Sequence, residues 1–192
     1  MPPSSQISRL ISDWQRGNRE AENALFEALY QRLHQIALQC LRSRDVGRTL
    51  GATALVHEAY LRFRQSERID VHDSHHFLCL AARVMRRILV DRARARISEK
   101  RGGDRQPVEF NDALAISETD AEQILLVDQA LAQLAQQSPR QAELVELRYF
   151  AGFSEEESAE ALAISARTAR REWQVARTRL RLAIDGSASG PN

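Results

Sequence analysis

The residue types best suited to recognition chemistry lie near the C-terminus. Arg167, Arg170, Arg171, Gln174, Arg177 and Arg181 recur mostly three or four residues apart and fall largely on one side of a helix. An arginine near the start of such a helix can donate two parallel hydrogen bonds to guanine N7 and O6. Those further along more often hold phosphates, which adds affinity without sequence information. Ala169, Trp173, Ala176 and Leu180 fall on the other side at helical spacing and should pack inward. An ordinary solvated face would also carry arginines, but it more often mixes its signs. Here the acids Glu155, Glu156, Glu157 and Glu160 gather on the preceding segment, and Glu172 is the only acid from Arg167 to Arg181. Trp173 could stack on a base, yet its place in the apolar stripe favours a core role.

Other residues also carry chemistry. Arg83, Arg86, Arg87 and Arg94 line a second helical stretch and could lie along a nucleic-acid backbone; a charged exterior for a helical bundle explains them about as well. His72, His75 and His76 with Asp70 and Asp73 are metal-ligand types, but histidines in a polar loop are more often simply exposed, and no metal is expected. His57-Glu58 begins like a zinc-protease motif, but Leu61 occupies the place of its second histidine. No Ser-His-Asp pattern, P-loop or dinucleotide-binding glycine run is present, so neither an enzyme nor a cofactor is expected. Cys40 and Cys79 read as small core residues.

The elements that must position these side chains are helical. Ala, Leu, Arg, Glu and Gln dominate, aromatics are 6 %, and Gly and Pro are sparse. Apolar residues recur at helical spacing over Ser8–Leu41, with a break at Asn18, and again over Thr53–Arg64 and His76–Arg96. Arg42–Gly51 and Glu67–His75 read as polar connections. Periodicity fails over residues 98–119, where Gly102-Gly103 and Pro107 mark a linker, and resumes with Asp120–Gln136. Ser138-Pro139 starts a further helix, running to about Ala151 with Gly152 as its stop. Ser154 with Glu157 forms a capping box, the turn Ala163-Ile164-Ser165 follows, and Ser165 caps a last helix to about Ile184. A short helix, a tight turn and a longer Arg-rich helix make a helix-turn-helix, whose second helix enters the major groove. The Gly/Ser-rich tail from Gly186 is expected to be disordered. The expected fold is therefore all-α: two small helical domains, residues 6–97 and 120–184, joined by a flexible linker, the second a helix-turn-helix.

Composition bounds the rest. The 192 residues are 28 % charged and 43 % hydrophobic, as in a globular chain. Net charge is only +1, but the charges are segregated. A basic block from Arg83 to Arg105 is followed by an acidic stretch from Glu109 to Asp128, then by a second basic block from Arg167 to Arg181, which suggests two surfaces for a polyanion. Isolated cysteines, no signal peptide and no long apolar run suit a reducing cytoplasm without membrane insertion.

Three segments in this order resemble a family. Ala54-Leu-Val-His-Glu-Ala-Tyr-Leu-Arg62, Ala82-Arg-Val-Met-Arg-Arg-Ile-Leu-Val-Asp-Arg-Ala-Arg94, and Pro139-Arg-Gln-Ala-Glu-Leu-Val-Glu-Leu-Arg-Tyr-Phe150 with the helix-turn-helix are similar to bacterial sigma factors of the extracytoplasmic-function group, over about residues 6–184. The chain departs from the commoner pattern at Ala54, where an acid usually stands, at His57, where Gln does, and at Arg87, where Asn does. The resemblance implies a factor that binds core RNA polymerase and recognises the −10 and −35 elements of promoter DNA. Val56, His57, Glu58, Tyr60, Leu61 and Arg62 would dock on the clamp helices of the largest polymerase subunit. Asp70, His72 and His75 would receive a base flipped from the non-template strand, and Arg83, Arg86 and Arg87 would hold the separated strand. Arg167, Thr168, Arg170, Arg171, Gln174 and Arg177 would read the upstream duplex. Residues 6–97 would then be the polymerase-binding and melting domain and residues 120–184 the −35 domain. An anti-sigma factor is a further partner that the resemblance admits. A helix-turn-helix regulator acting without being a polymerase subunit would share the second half. Its first half should instead carry a ligand pocket, a receiver fold or a dimerisation helix.

Overall fold

The computed structural model describes residues 4–41, 48–65, 71–100, 114 and 116–188. The chain is all-α, with no strand among the described residues. It divides into two compact units, Met1–Ile88 and Leu89–Asn192.

In the first unit, α1 (Ser4–Gln15) packs on α2 (Arg19–Cys40), and α2 on α3 (Arg48–Gln65). The break between α1 and α2 has a local cause. Gly17, at φ 90°, donates to the Trp14 carbonyl at 2.8 Å, and Asn18 N–H reaches back to Asp13 O at 3.1 Å. That is a Schellman stop with glycine at the left-handed position. Asn18 then caps α2, its Oδ1 accepting from the amides of Glu20 and Ala21. The core behind these helices is aromatic. Trp14, Phe26 and Phe63 each stand 5.4 to 5.8 Å from Phe77 at the start of α4 (Ser74–Lys100), and all of these contacts are tilted or edge-on. Leu25, Leu29, Leu33 and Ile36 of α2 and Leu55 and Ala59 of α3 are buried with them.

In this half of the chain three helices start earlier than periodicity indicates, α1 at Ser4 rather than Ser8 among them. α3 begins at Arg48, so Gly51, read as part of a connection, is a buried helical residue. Tertiary packing there outweighs glycine's low helix propensity. α4 begins at Ser74 because Asp73 caps it: its Oδ1 accepts from His76 N–H at 2.8 Å, and its carbonyl accepts from Phe77 N–H. The division between the two units falls within α4.

In the second unit, α5 (Glu118–Gln137) is capped by Ser117, and α6 (Pro139–Val145) begins with proline in its first turn. A π-helical turn, Glu146–Phe150, extends α6. Gly152, at φ 70°, ends it. Next come α7 (Glu155–Ala161) and α8 (Ala166–Ala188), and α8 packs on α5, α6 and α7. The tail does not break at Gly186 as its composition suggests. Adding a turn to an existing helix costs far less than starting one, so α8 runs on to Ala188.

Candidate nucleic-acid interface

The site is built from α7, its turn and α8. Ser154 Oγ accepts from Glu157 N–H at 3.1 Å while the Glu157 carboxylate accepts from Ser154 N–H at 2.7 Å. This capping box fixes where α7 starts. The turn is set by Ala163, at φ 51°, and by Ile164 N–H donating to Ala159 O at 2.9 Å. Ser165 Oγ then accepts from Thr168 N–H at 3.1 Å and starts α8. Leu144 of α6, Ala159 of α7 and Ala169 of α8 form the shared core, with Leu162, Ile164, Ala166 and Trp173 packed against it.

This core sets the rotation of α8. Ala169 and Ala176 are fully buried, and Trp173 and Leu180 half-buried. Arg167, Arg170, Arg171, Gln174, Arg177 and Arg181 are all exposed, and Thr168 is half-exposed at the capped end. The two faces expected from spacing are present. The stray acid Glu172 faces inward, where Arg140 of α6 donates to both of its carboxylate oxygens, the Nε contact at 2.9 Å. It therefore puts no negative charge on the arginine face. Arg179 donates to Gln141 Oε1 at 3.0 Å.

Periodicity could not show what holds the arginines. Glu155 of α7 accepts from Arg170 Nε at 3.1 Å, lies 2.9 Å from Arg170 Nη2, and stands 3.7 Å from Arg148. The hydrogen bond and the charge of Glu155 push the Arg170 guanidinium pKa further up. Arg148, on the π turn, lies over the Trp173 ring at 5.0 Å, and Arg177 over the same ring at 6.0 Å. Glu155, Arg148 and Arg140 thus join the site residues that spacing alone indicates. The only sequence signal was the run of acids before the turn.

In the first unit, Arg87 is exposed and Arg83 and Arg86 are half-buried on α4. Further along α4, Arg94 pairs with Asp128 of α5 at 3.4 Å. His72 is exposed and His75 half-buried; the His72 and His76 rings lie 5.1 Å apart. Asp70 lies outside the described residues. On α3, His57, Leu61 and Arg62 are exposed, and Glu58 and Tyr60 half-buried. Tyr60 donates to Asn23 Oδ1 at 2.6 Å, and Arg62 stands 3.9 Å from Glu58. Val56 is buried instead, in the floor of a groove of about 520 Å³ that Phe26, Tyr30, Thr53, His57 and Tyr60 also line. Among the described residues no cluster of His, Cys, Asp or Glu could hold a metal ion, and no helix is long and apolar enough to cross a membrane.

The chain is all-α, and its short α7 is followed by a tight turn and a longer helix with arginines on its exposed face. The family model described as ECF sigma factor matches residues 4–186, nearly the whole chain. The protein therefore belongs to the ECF sigma factor family, whose members direct transcription initiation. No match was found among curated proteins.

Proposed function

We propose that the protein binds core RNA polymerase and directs it to promoters by recognising both a −10 and a −35 element. The observation that carries this reading is the exposed face of α8, where Arg167, Arg170, Arg171, Gln174 and Arg177 stand opposite the buried Ala169 and Ala176. In this reading the arginines near the helix start read base edges in the major groove, and Arg177, further along, holds phosphate. In the first half, His57, Leu61 and Arg62 offer an exposed surface on α3 for the polymerase clamp helices. His72 and His75, with Asp70, receive the flipped base, and Arg83, Arg86 and Arg87 hold the separated strand by its phosphates. Residues 6–97 and 120–184 act as the two working domains, with residues 98–119 linking them. Unstacking a base costs a few kcal/mol, which contacts within the polymerase complex offset. Duplex binding by the free chain is weak until polymerase fixes the spacing of the two domains.

Run-off transcription tests this. Core polymerase from the same organism, this protein and a pool of genomic promoter fragments should give discrete starts that need the protein. The double substitution Arg86→Ala, Arg87→Ala should abolish them while the protein still binds polymerase. Specific duplex binding without any protein-dependent start would instead identify a helix-turn-helix regulator that is not a polymerase subunit.

A further inference from the structure

The pairing of Arg170 with Glu155 bears on how one base is chosen. A guanidinium has a side edge, Nε with Nη2, and an end edge, Nη1 with Nη2, and either can make two parallel hydrogen bonds. Glu155 sits at the side edge: its Oε2 accepts from Arg170 Nε at 3.1 Å, while Oε1 lies 2.9 Å from Nη2 as an ion-pair contact without a hydrogen bond. The Arg170 side chain is nevertheless 71 % exposed, whereas that of Glu155 is 15 % exposed. The acid is thus the fixed member of the pair and the arginine the presented one. Glu155 is fixed from two directions. It sits in the first turn of α7, which the Ser154 capping box anchors. Arg148 stands 3.7 Å behind it, and Arg148 is itself laid over Trp173. A long arginine side chain loses rotamer freedom when it binds, and a fixed partner in the free protein removes part of that cost beforehand.

We propose that Glu155 is a positioning residue for promoter selection, which holds the Arg170 guanidinium by its side edge so that its end edge meets guanine at one base pair of the −35 element. The proposal rests on the −35 reading given above. It distinguishes Arg170 from Arg167, Arg171 and Arg177, whose described contacts include no carboxylate. It also runs against simple charge counting. Removing an acid beside DNA should tighten binding to every sequence, whereas removing a positioning group should lower preference at one base pair.

The test is selection from a duplex library randomised across the upstream element, using full-length protein with core polymerase. Wild type, Glu155→Gln and Arg170→Ala are profiled in parallel. The expected result is that Arg170→Ala lowers the guanine preference at one position about tenfold, the scale of a lost bidentate contact. Glu155→Gln should lower it at that same position and at no other, with preferences elsewhere intact. Should Glu155→Gln fail to fold, Glu155→Asp carries the test. It keeps a negative charge at the start of α7 but withdraws it from Arg170 by one methylene, and should lose preference at that one position. A uniform gain in affinity with unchanged preferences would overturn the proposal, as would Glu155 variants that leave intact the preference Arg170→Ala removes. A wild-type profile with no upstream preference at all would overturn the −35 reading itself.

Discussion

Glu22 of α2 is buried, and its Oε1 has no hydrogen-bond partner among the described residues. Burial pushes its carboxyl pKa above the ordinary 4.5, against smaller opposing pulls from Arg64 and Arg19. An acid with a raised folded value takes up a proton on folding. Its contribution to stability is fully present below 4.5 and is lost as pH rises through the raised value. Glu22→Gln should therefore match wild type near pH ~4 and exceed it near pH ~7, as read from urea midpoints at the two pH values. A variant less stable than wild type at the higher pH would mean that the attraction of Arg64 and Arg19 outweighs desolvation. Cys40 shows the same physics in a thiol: burial pushes it up to about 12, against a smaller pull from Arg86. Almost no thiolate exists there at neutral pH. Cys40 and Cys79 are nevertheless half-buried and not the core residues that residue type and helical place suggested. Glu22 was not legible either, because what makes it unusual is the packing of other helices around it.

At the level of elements, some helix starts were legible: Asn18, Ser154 and Ser165 cap α2, α7 and α8 within four residues of chain, and Pro139 marks the first turn of α6, where Ser138 makes no side-chain cap bond. Periodicity does not show the earlier starts of α1 at Ser4, α3, α4 and α5 at Glu118: packing holds Gly51 in α3, and the caps Asp73 and Ser117 of α4 and α5 lie in segments without apolar period. The turn between α7 and α8 carries a small strain. Ala163 is exposed and adopts φ 51°, a left-handed conformation that costs an L-residue roughly 1–2 kcal/mol. Glycine would be free of that cost but would lose more entropy on folding, by up to about 1 kcal/mol. Ala163→Gly should therefore be neutral to stabilising by up to ~1 kcal/mol in chemical denaturation. A clear loss of stability would show that the alanine methyl makes a contact that matters.

For the whole molecule, a net charge of +1 conceals strong segregation, with acids on α7 and arginines on the outer face of α8. Affinity for promoter DNA should then depend steeply on salt through a few arginines. Arg177→Ala should weaken binding by the polymerase-bound protein about equally across sequences and reduce the log–log salt slope by about 1. Fluorescence anisotropy on one promoter duplex over a range of salt concentrations would show it, and an unchanged slope would remove Arg177 from the phosphate contacts. The two faces of α8 were legible because they follow the helical period. The ion pairs that cross between helices were not: Glu155 with Arg170 and Arg140 with Glu172 join residues far apart in sequence. The π turn at Glu146–Phe150 was equally hidden, and it carries a consequence for phase. Buried Val145 and Phe150 stand five residues apart, a spacing that only the wider turn keeps on one face. Removing one residue between them leaves a spacing of four, which an α-helix tolerates. The same loss within α8 would turn everything beyond it by about 100° and carry its buried stripe to the outside. A chain that lacks Glu146, Arg148 or Tyr149, and so keeps the buried Leu147, should therefore still fold, and one shortened at 170–175 should not, which makes the wide turn a place among the described helices of the second unit where length can change without loss of register.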